Sequence, residues 1–443
     1  MTTGANGREK LKRDLSLFGL TMIAIGSCIG SGIFLTPSQV ASHLPRPGLI
    51  LLAWAVGGII ALTGALTFAE LGGMYPKAGG VYVYLKEGYG DFAGFMYGWA
   101  YITVINSGAI AALVIAFTYY LSFIFPMEAS RQTLVAVVTI LLLALVNVFR
   151  VKFVEMFTNL FTLLKLAGIA AVILVGFFLG SSETLGSGTP PEINLSGGAW
   201  LGAFGLAMVG VLWSYGGWQH ASYLSGEARD AVRTIPRAMV IGAFVVAVVY
   251  VLTNLSFLFL MPVSEMAVSE SIAADAVSKV LPYGGHLIAV IIAVSTLGTA
   301  LIYTLSAPRI YFAMAEDGLF FSKIAEVHPR FRTPVNAVLI QSSWAIVLLI
   351  FWGTFENVIT YVTFTDWIFF MLTACVVILF RFTRKDVHRP VRTIGYPLTP
   401  LLFIITTFLF VLNTLIERPT QAGAGLALLS IGVVVYFFFK RGK

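Results

Sequence analysis

Only two cysteines, Cys28 and Cys375, occur in the 443 residues. Both fall in apolar runs, which leaves no disulfide framework and no thiolate metal cluster. The histidines (His43, His220, His286, His328 and His388) are scattered without an HExxH or other ligand spacing, and neither a Walker A nor a GxSxG pattern occurs. Metal-dependent hydrolysis, nucleotide-driven pumping and acyl transfer therefore lack their residues, and no enzyme, metal site or cofactor is expected. Charge is equally scarce. Charged residues make up 11% of the chain against 58% hydrophobic, with a mean hydropathy of +0.89. That polar surface is too small for a soluble globule, so the chain reads as an all-α polytopic membrane protein.

What is abundant is apolar sequence in spanning lengths. Twelve runs are recognised, near 16–41, 48–73, 91–124, 131–150, 153–180, 200–224, 236–260, 285–314, 334–352, 357–381, 396–416 and 422–440. The polar start leads directly into a run too long for a signal-peptide core and without a small-residue cleavage site, so the first span is expected to stay. The net charge of +7 suggests nucleic acid, but its distribution argues otherwise. Basic residues crowd alternate connections, such as Arg381, Arg384, Lys385, Arg389 and Arg392, whereas only Arg46, Arg131, Lys279 and Arg418 fall in the others. This bias places both termini in the cytoplasm with an even number of spans, and assigns the excess charge to topology. Nucleic acid is not an expected partner; the bilayer is.

The chain divides into a basic arm (1–15), five spans (16–180), five more (200–382) and two additional spans (396–440). Because five is odd, the second set enters the membrane from the opposite side, which makes any duplication inverted. The first span of each set carries a glycine cluster: GSCIGSGIF from Gly26 to Phe34, and GVLWSYGGW from Gly210 to Trp218. Glycine at this density breaks a helix, at about 1 kcal/mol per position. A break at mid-membrane frees N–H and C=O groups that hydrocarbon cannot satisfy, so a polar ligand in a protein-lined cavity is expected there. Close packing of a GxxxG face is the alternative for the first cluster.

Four polar residues inside the runs stand out. Lys165 sits about 12 residues into its span, roughly 18 Å deep at 1.5 Å per residue, too far to snorkel. Its amine must be neutral or paired with carboxylate or carbonyl groups, and an amine so placed is functional by default. Asp366 in YVTFTDWIFF could carry a proton, hold a cation or anchor a helix. Asn106, beside Ser107 and Gly108, forms a polar patch that lines a cavity or permits close packing. Glu70 lies near the inner interface, where it caps or pairs with a loop. The tyrosine-rich stretch from Met74 to Gly90 reads as interfacial at the inner mouth.

GSCIGSGIF, FAELGGMYPKAGGVYVYL, SYGGW and PRIYFAMAEDG, in that order over roughly residues 14–415, resemble the amino acid–polyamine–organocation superfamily. The nearest members are the L-type amino acid transporters and their bacterial relatives. The resemblance implies a LeuT-like 5+5 inverted repeat with helices 1 and 6 discontinuous. It further implies that free N–H groups of Gly30, Ser31 and Gly32 hold an α-carboxylate at a half-helix start, where the helix dipole favours an anion. Carbonyls near Cys28, Trp213 and Gly216 would take the α-ammonium, and Trp213 matches the aromatic gate over the substrate. Lys165 would occupy the place of a bound sodium ion, bonding a carbonyl near Gly26 and a hydroxyl of Ser295 or Thr299. The segment PMEASR lacks the cysteine by which animal relatives attach a heavy-chain glycoprotein, so no such partner is expected. Asp366 departs from the small polar residue of many relatives.

The expected function is a sodium-independent secondary amino acid transporter of the plasma (inner) membrane, working by alternating access and exchanging neutral amino acids. The alternatives are a proton-coupled symporter with Asp366 or Lys165 titrating, a carrier of cationic amino acids or polyamines held by Asp366, and a receptor or channel built on the same bundle.

Overall fold

The computed structural model describes residues 11–149, 151–186, 199–352 and 355–441. Most of the basic arm expected over 1–15 and most of the loop around 181–199 lie outside the described residues, as do Arg150 and Lys443. The first apolar run forms not one rod but α1 (Leu17–Cys28) and α2 (Gly32–His43). α3 (Pro47–Met74) opens on a proline, whose missing N–H is tolerated in a first turn. α4 (Val81–Tyr89) and α5 (Asp91–Ala100) follow, and α5 passes through a π-turn at Tyr101–Ile105 into α6 (Asn106–Ile124). Next come α7 (Ala129–Val148) and α8 (Val151–Leu179).

The second glycine cluster ends α9 (Ala199–Tyr215) and is followed by the single turn α10 (His220–Tyr223). Beyond it lie α11 (Ala231–Leu260), the short α12 (Val263–Met266) and α13 (Ile272–Ser278), and α14 (Gly284–Ser306). α15 (Pro308–Glu316) extends α14 past Pro308. α16 (Val335–Trp352), α17 (Phe355–Thr383), α18 (Leu398–Glu417) and α19 (Pro419–Arg441) complete the order. Among the described residues, ten helical stretches are long and apolar enough to cross a membrane. The sixth and ninth expected runs instead give shorter apolar helices, Ala199–Tyr215 and Val335–Phe351. The sixth is cut short by its own glycines.

The broken helices lie innermost. α1 is enclosed by α8, α11 and α14, α2 runs against α9, and α3 and α6 line up with α11 and α14. Apolar side chains can face lipid freely, whereas backbone polar groups cannot, so the rim helices turn Leu141, Leu142, Leu145 and Phe438 outward. Irregular backbone is confined to the enclosed centre.

The basic end of the bundle is held by ion pairs. Glu70, buried in the last turns of α3, accepts from Arg381 at 2.7 Å and from the Thr393 N–H at 2.8 Å, and Arg389 lies 3.2 Å away. The stretch 74–90 departs from the interfacial reading, since Tyr82 and Tyr84 are fully buried. α4 packs against α17 and α5, and the Tyr82 hydroxyl donates to Asp317 at 2.8 Å, beside a 2.7 Å contact from Lys86. Burial and the Asp317 carboxylate hold the Tyr82 phenol above its usual range. Arg309 and Glu227 form a fully buried bidentate pair at 3.0 and 2.8 Å. The Glu227 carbonyl also accepts the Leu15 N–H at 3.0 Å, which stitches the chain before α1 to the loop after α10.

Removing one partner of such a pair strands a charge. Glu227→Ala is expected to destabilise the fold by about 3–5 kcal/mol, and Glu227→Ala with Arg309→Met to regain most of it. Thermal unfolding of the purified protein in detergent checks both; an unchanged Tm for the single variant would contradict the pairing.

Candidate functional site

In an unbroken helix the Gly26 carbonyl would take the Gly30 N–H four residues on. Here the Gly30 N–H donates instead to the Cys28 carbonyl at 2.9 Å, closing a tight turn between α1 and α2. Gly30 therefore does not offer the free N–H expected of it. The N–H groups of Ser31, Gly32 and Ile33 open α2 without a backbone acceptor among the described residues, and the Ser31 hydroxyl is likewise unpartnered. A side chain on Gly32 would meet the Ser214 Cα at 2.7 Å, so glycine there also lets α2 and α9 approach backbone to backbone. The Cys28 carbonyl is not free either, because the Tyr250 hydroxyl donates to it at 2.7 Å.

The second break mirrors the first in its loosened bonding. α9 ends with the Gly216 N–H shared between the carbonyls of Leu212 at 3.0 Å and Trp213 at 3.2 Å. Gly217 turns to φ +132°, a conformation that L side chains avoid, and its N–H donates to Gln219 Oε1 at 2.9 Å. A Cβ there would lie 2.6 Å from the Cys28 nitrogen and the Ser27 carbonyl carbon. The two breaks touch. Tyr215 packs on Trp54 and Tyr250, and Trp218 on Phe68 and Phe370.

Lys165 of α8 is fully buried and directed at the first break. Its Nζ donates to the carbonyls of Gly26 at 2.9 Å and Ile29 at 2.7 Å, and to Thr299 Oγ1 at 2.7 Å. Three ammonium protons thus meet three oxygens. Two of these are carbonyls released by the interrupted helix, and Thr299 itself lies 2.9 and 2.8 Å from the same pair. Ser295 makes no bond to Lys165; its hydroxyl donates to the Ile29 carbonyl at 3.3 Å. The result ties α1, α8 and α14 together at one point.

Beside the breaks, a narrow cavity is lined by Tyr101, Ile105, Ala109, Trp213, Gly216, Tyr303 and Asp366, among others. The residues from Cys28 to Gly32 are not part of its lining. Trp213 is half-buried and meets Phe355 edge-on at 6.2 Å. Asp366 keeps a buried Oδ1 with no hydrogen-bond partner. Asn106 lies just outside, donating to the Tyr303 carbonyl at 3.3 Å with its own Oδ1 unpartnered. His220 is a bonded core residue, 2.5 Å from Ser306 and 3.4 Å from the Tyr101 hydroxyl. Sequence reasoning missed Tyr250, Tyr303 and Tyr101. The i, i+4 spacing of Tyr97 and Tyr101 was an available signal, whereas nothing local distinguishes Tyr250.

Known proteins resemble this chain in sequence. A family model described as "Amino acid permease" matches residues 15–439. The chain is similar to the serine/threonine exchanger SteT of Bacillus subtilis (strain 168), 31% identical over 448 residues covering 100% of both chains. It is also similar to human b(0,+)-type amino acid transporter 1, 32% identical over 441 residues, 98% of this chain and 89% of that one. Human large neutral amino acids transporter small subunit 2 is 32% identical over 445 residues, 97% of this chain and 81% of that one.

Contact between the breaks makes Gly217 sensitive. Gly217→Ala is expected to cost at least about 1–2 kcal/mol from the backbone angle alone, before the clash with Cys28. A Tm equal to that of the parent protein would show that the two breaks are not pressed together.

Proposed function

The chain belongs to the amino acid permease family, and from that premise we propose that it is a sodium-independent secondary amino acid transporter that exchanges neutral L-amino acids by alternating access. Its relatives are membrane transporters, not enzymes. The observation that carries the sodium-independent part is the Lys165 ammonium bonded to Gly26, Ile29 and Thr299. A tethered cation with three oxygen partners would do there what a bound metal ion does, which supports independence from sodium.

In this proposal the architecture is a twelve-span LeuT-like bundle of two inverted five-span repeats, 16–180 and 200–382, with both termini in the cytoplasm at the plasma membrane. The two breaks support it, since each falls in the first run of its set. Substrate carboxylate meets the N–H groups of Ser31 and Gly32 at the α2 start, where backbone donors and helix dipole converge. The α-ammonium meets the carbonyls of Trp213, in the last turn of α9, and of Gly216 just beyond it. Trp213 covers the bound molecule, and the cavity beyond it receives the side chain. The SteT likeness favours small hydroxylated substrates, and PMEASR offers no cysteine for a disulfide-linked heavy chain.

A second reading rests on Asp366. Its buried Oδ1 lines the cavity without a partner, and an unpaired buried polar atom is costly. A substrate bringing a cationic or protonated group would satisfy it. Competition separates the two readings: excess serine or leucine suppresses exchange on the first, arginine or putrescine on the second. Asp366→Asn would abolish only the latter.

Counterflow in proteoliposomes is the direct test. Wild-type exchange is expected to be equal with and without sodium, and Lys165→Ala to lose it in both. Full exchange by that variant, or a sodium requirement in the wild type, refutes the assignment. Trp213→Ala is expected to slow exchange while retaining part of the substrate affinity; wild-type turnover would remove its gating role.

A further inference from the structure

The π-turn at Tyr101–Ile105 has a consequence for the cavity wall. In a regular α-helix twelve residues advance about 1,200°, so residues 97 and 109 would point about 120° apart. One inserted residue in a π-turn takes up about 100° of that and brings the row 97, 101, 105, 109 nearly into line. Tyr101, Ile105 and Ala109 all line the cavity, and Tyr97 packs on Tyr101. The turn therefore straightens one face of α5–α6 toward the space that receives the side chain.

Such a turn leaves backbone carbonyls poorly bonded, and two side chains supply replacement donors. The Thr103 hydroxyl donates to the Trp99 carbonyl at 2.7 Å. The Thr103 carbonyl accepts the indole N–H of Trp344, on α16, at 3.0 Å. Trp344 is 37% exposed on the rim of the bundle, so its ring is not core filling. Its N–H is the part turned inward.

We infer that Trp344 is a positioning residue that sets side-chain selectivity from outside the cavity, by holding the π-turn in the register that presents Tyr101, Ile105 and Ala109. The inference rests on the proposed transport reading. Loss of the indole N–H lets the turn relax toward α-helical register, which rotates the wall and alters the space for bulky side chains more than for small ones. The α-carboxylate and α-ammonium contacts lie on other helices and are unaffected.

The test uses the full chain in proteoliposomes and the three best-transported amino acids of differing side-chain volume. Trp344→Phe keeps an aromatic side chain, though a smaller one, and removes the donor. The ratio of KM between the largest and smallest substrate is expected to shift about five-fold, the weight of one hydrogen bond, with kcat for the smallest within about two-fold of wild type. Thr103→Val, which removes the other replacement bond, is expected to shift the ratio the same way, and carries the test if Trp344→Phe does not fold. Unchanged KM ratios in an active variant overturn the inference alone. So does a uniform fall in kcat at constant KM ratios, the mark of mere structural support. Failure of the wild-type chain to carry any amino acid overturns the transport reading, and the inference with it.

Discussion

Everything at the centre of this protein depends on carbonyls that a membrane cannot satisfy. Once α1 stops at Cys28, the Gly26 and Ile29 carbonyls lose their helical partners at a depth without water. The Lys165 ammonium takes both, at 2.9 and 2.7 Å. Neither feature is stable without the other. A buried ammonium lacking oxygen partners would cost several kcal/mol, and two buried carbonyls lacking donors would cost a comparable amount. The break and the lysine are one device.

The same logic recurs wherever the backbone leaves regular geometry. At the α1 end Tyr250 covers the Cys28 carbonyl; at the π-turn Trp344 covers the Thr103 carbonyl; after α9 Gln219 covers the Gly217 N–H. In each case the donor or acceptor comes from a side chain, and for Tyr250 and Trp344 from a different helix. Irregular segments are thereby cross-linked to the regular ones, so a shift of either half-helix must be felt by α8, α11 and α14. The exception is the start of α2. There Ser31, Gly32 and Ile33 keep their N–H groups without backbone acceptors among the described residues, as the proposed carboxylate site requires.

Much of this was legible in the residues. Glycine clusters marked both breaks, and depth alone singled out Lys165, as an amine either neutral or paired with oxygen acceptors. Thr299 and Gly26 are among those partners; Ile29 was not foreseen, because which carbonyl turns toward the amine depends on the torsions of the break. Those torsions also engage the Gly30 N–H with the Cys28 carbonyl, where the family resemblance implied a free donor. Tyr82 and Tyr84 illustrate a different limit. A tyrosine-rich polar stretch has the composition of an interfacial belt, but here the partners that bury it, Asp317 and α17, lie more than 200 residues away in the chain. The π-turn hid for a third reason: a row spaced by four residues reads as slightly imperfect helix unless a long stretch is tracked.

A tethered charge differs from a bound ion in what it allows the cycle to do. An ion that binds with the substrate and leaves with it couples transport to its own gradient, since its differential affinity for the two facing states biases them. Lys165 cannot leave. On the proposed reading it contributes the same structural cross-link in the outward-facing and inward-facing forms, and supplies no external driving force to return the empty carrier. The energy to cross between the forms must then come from the substrate, whose carboxylate satisfies the N–H groups at the start of α2 and whose ammonium satisfies the end of α9. On this reading an empty carrier leaves the N–H groups at the start of α2 without acceptors in the membrane interior, so the crossing is favoured loaded in both directions. On the proposed reading, that asymmetry between loaded and empty forms is the physical content of exchange, and the tethered lysine is its source.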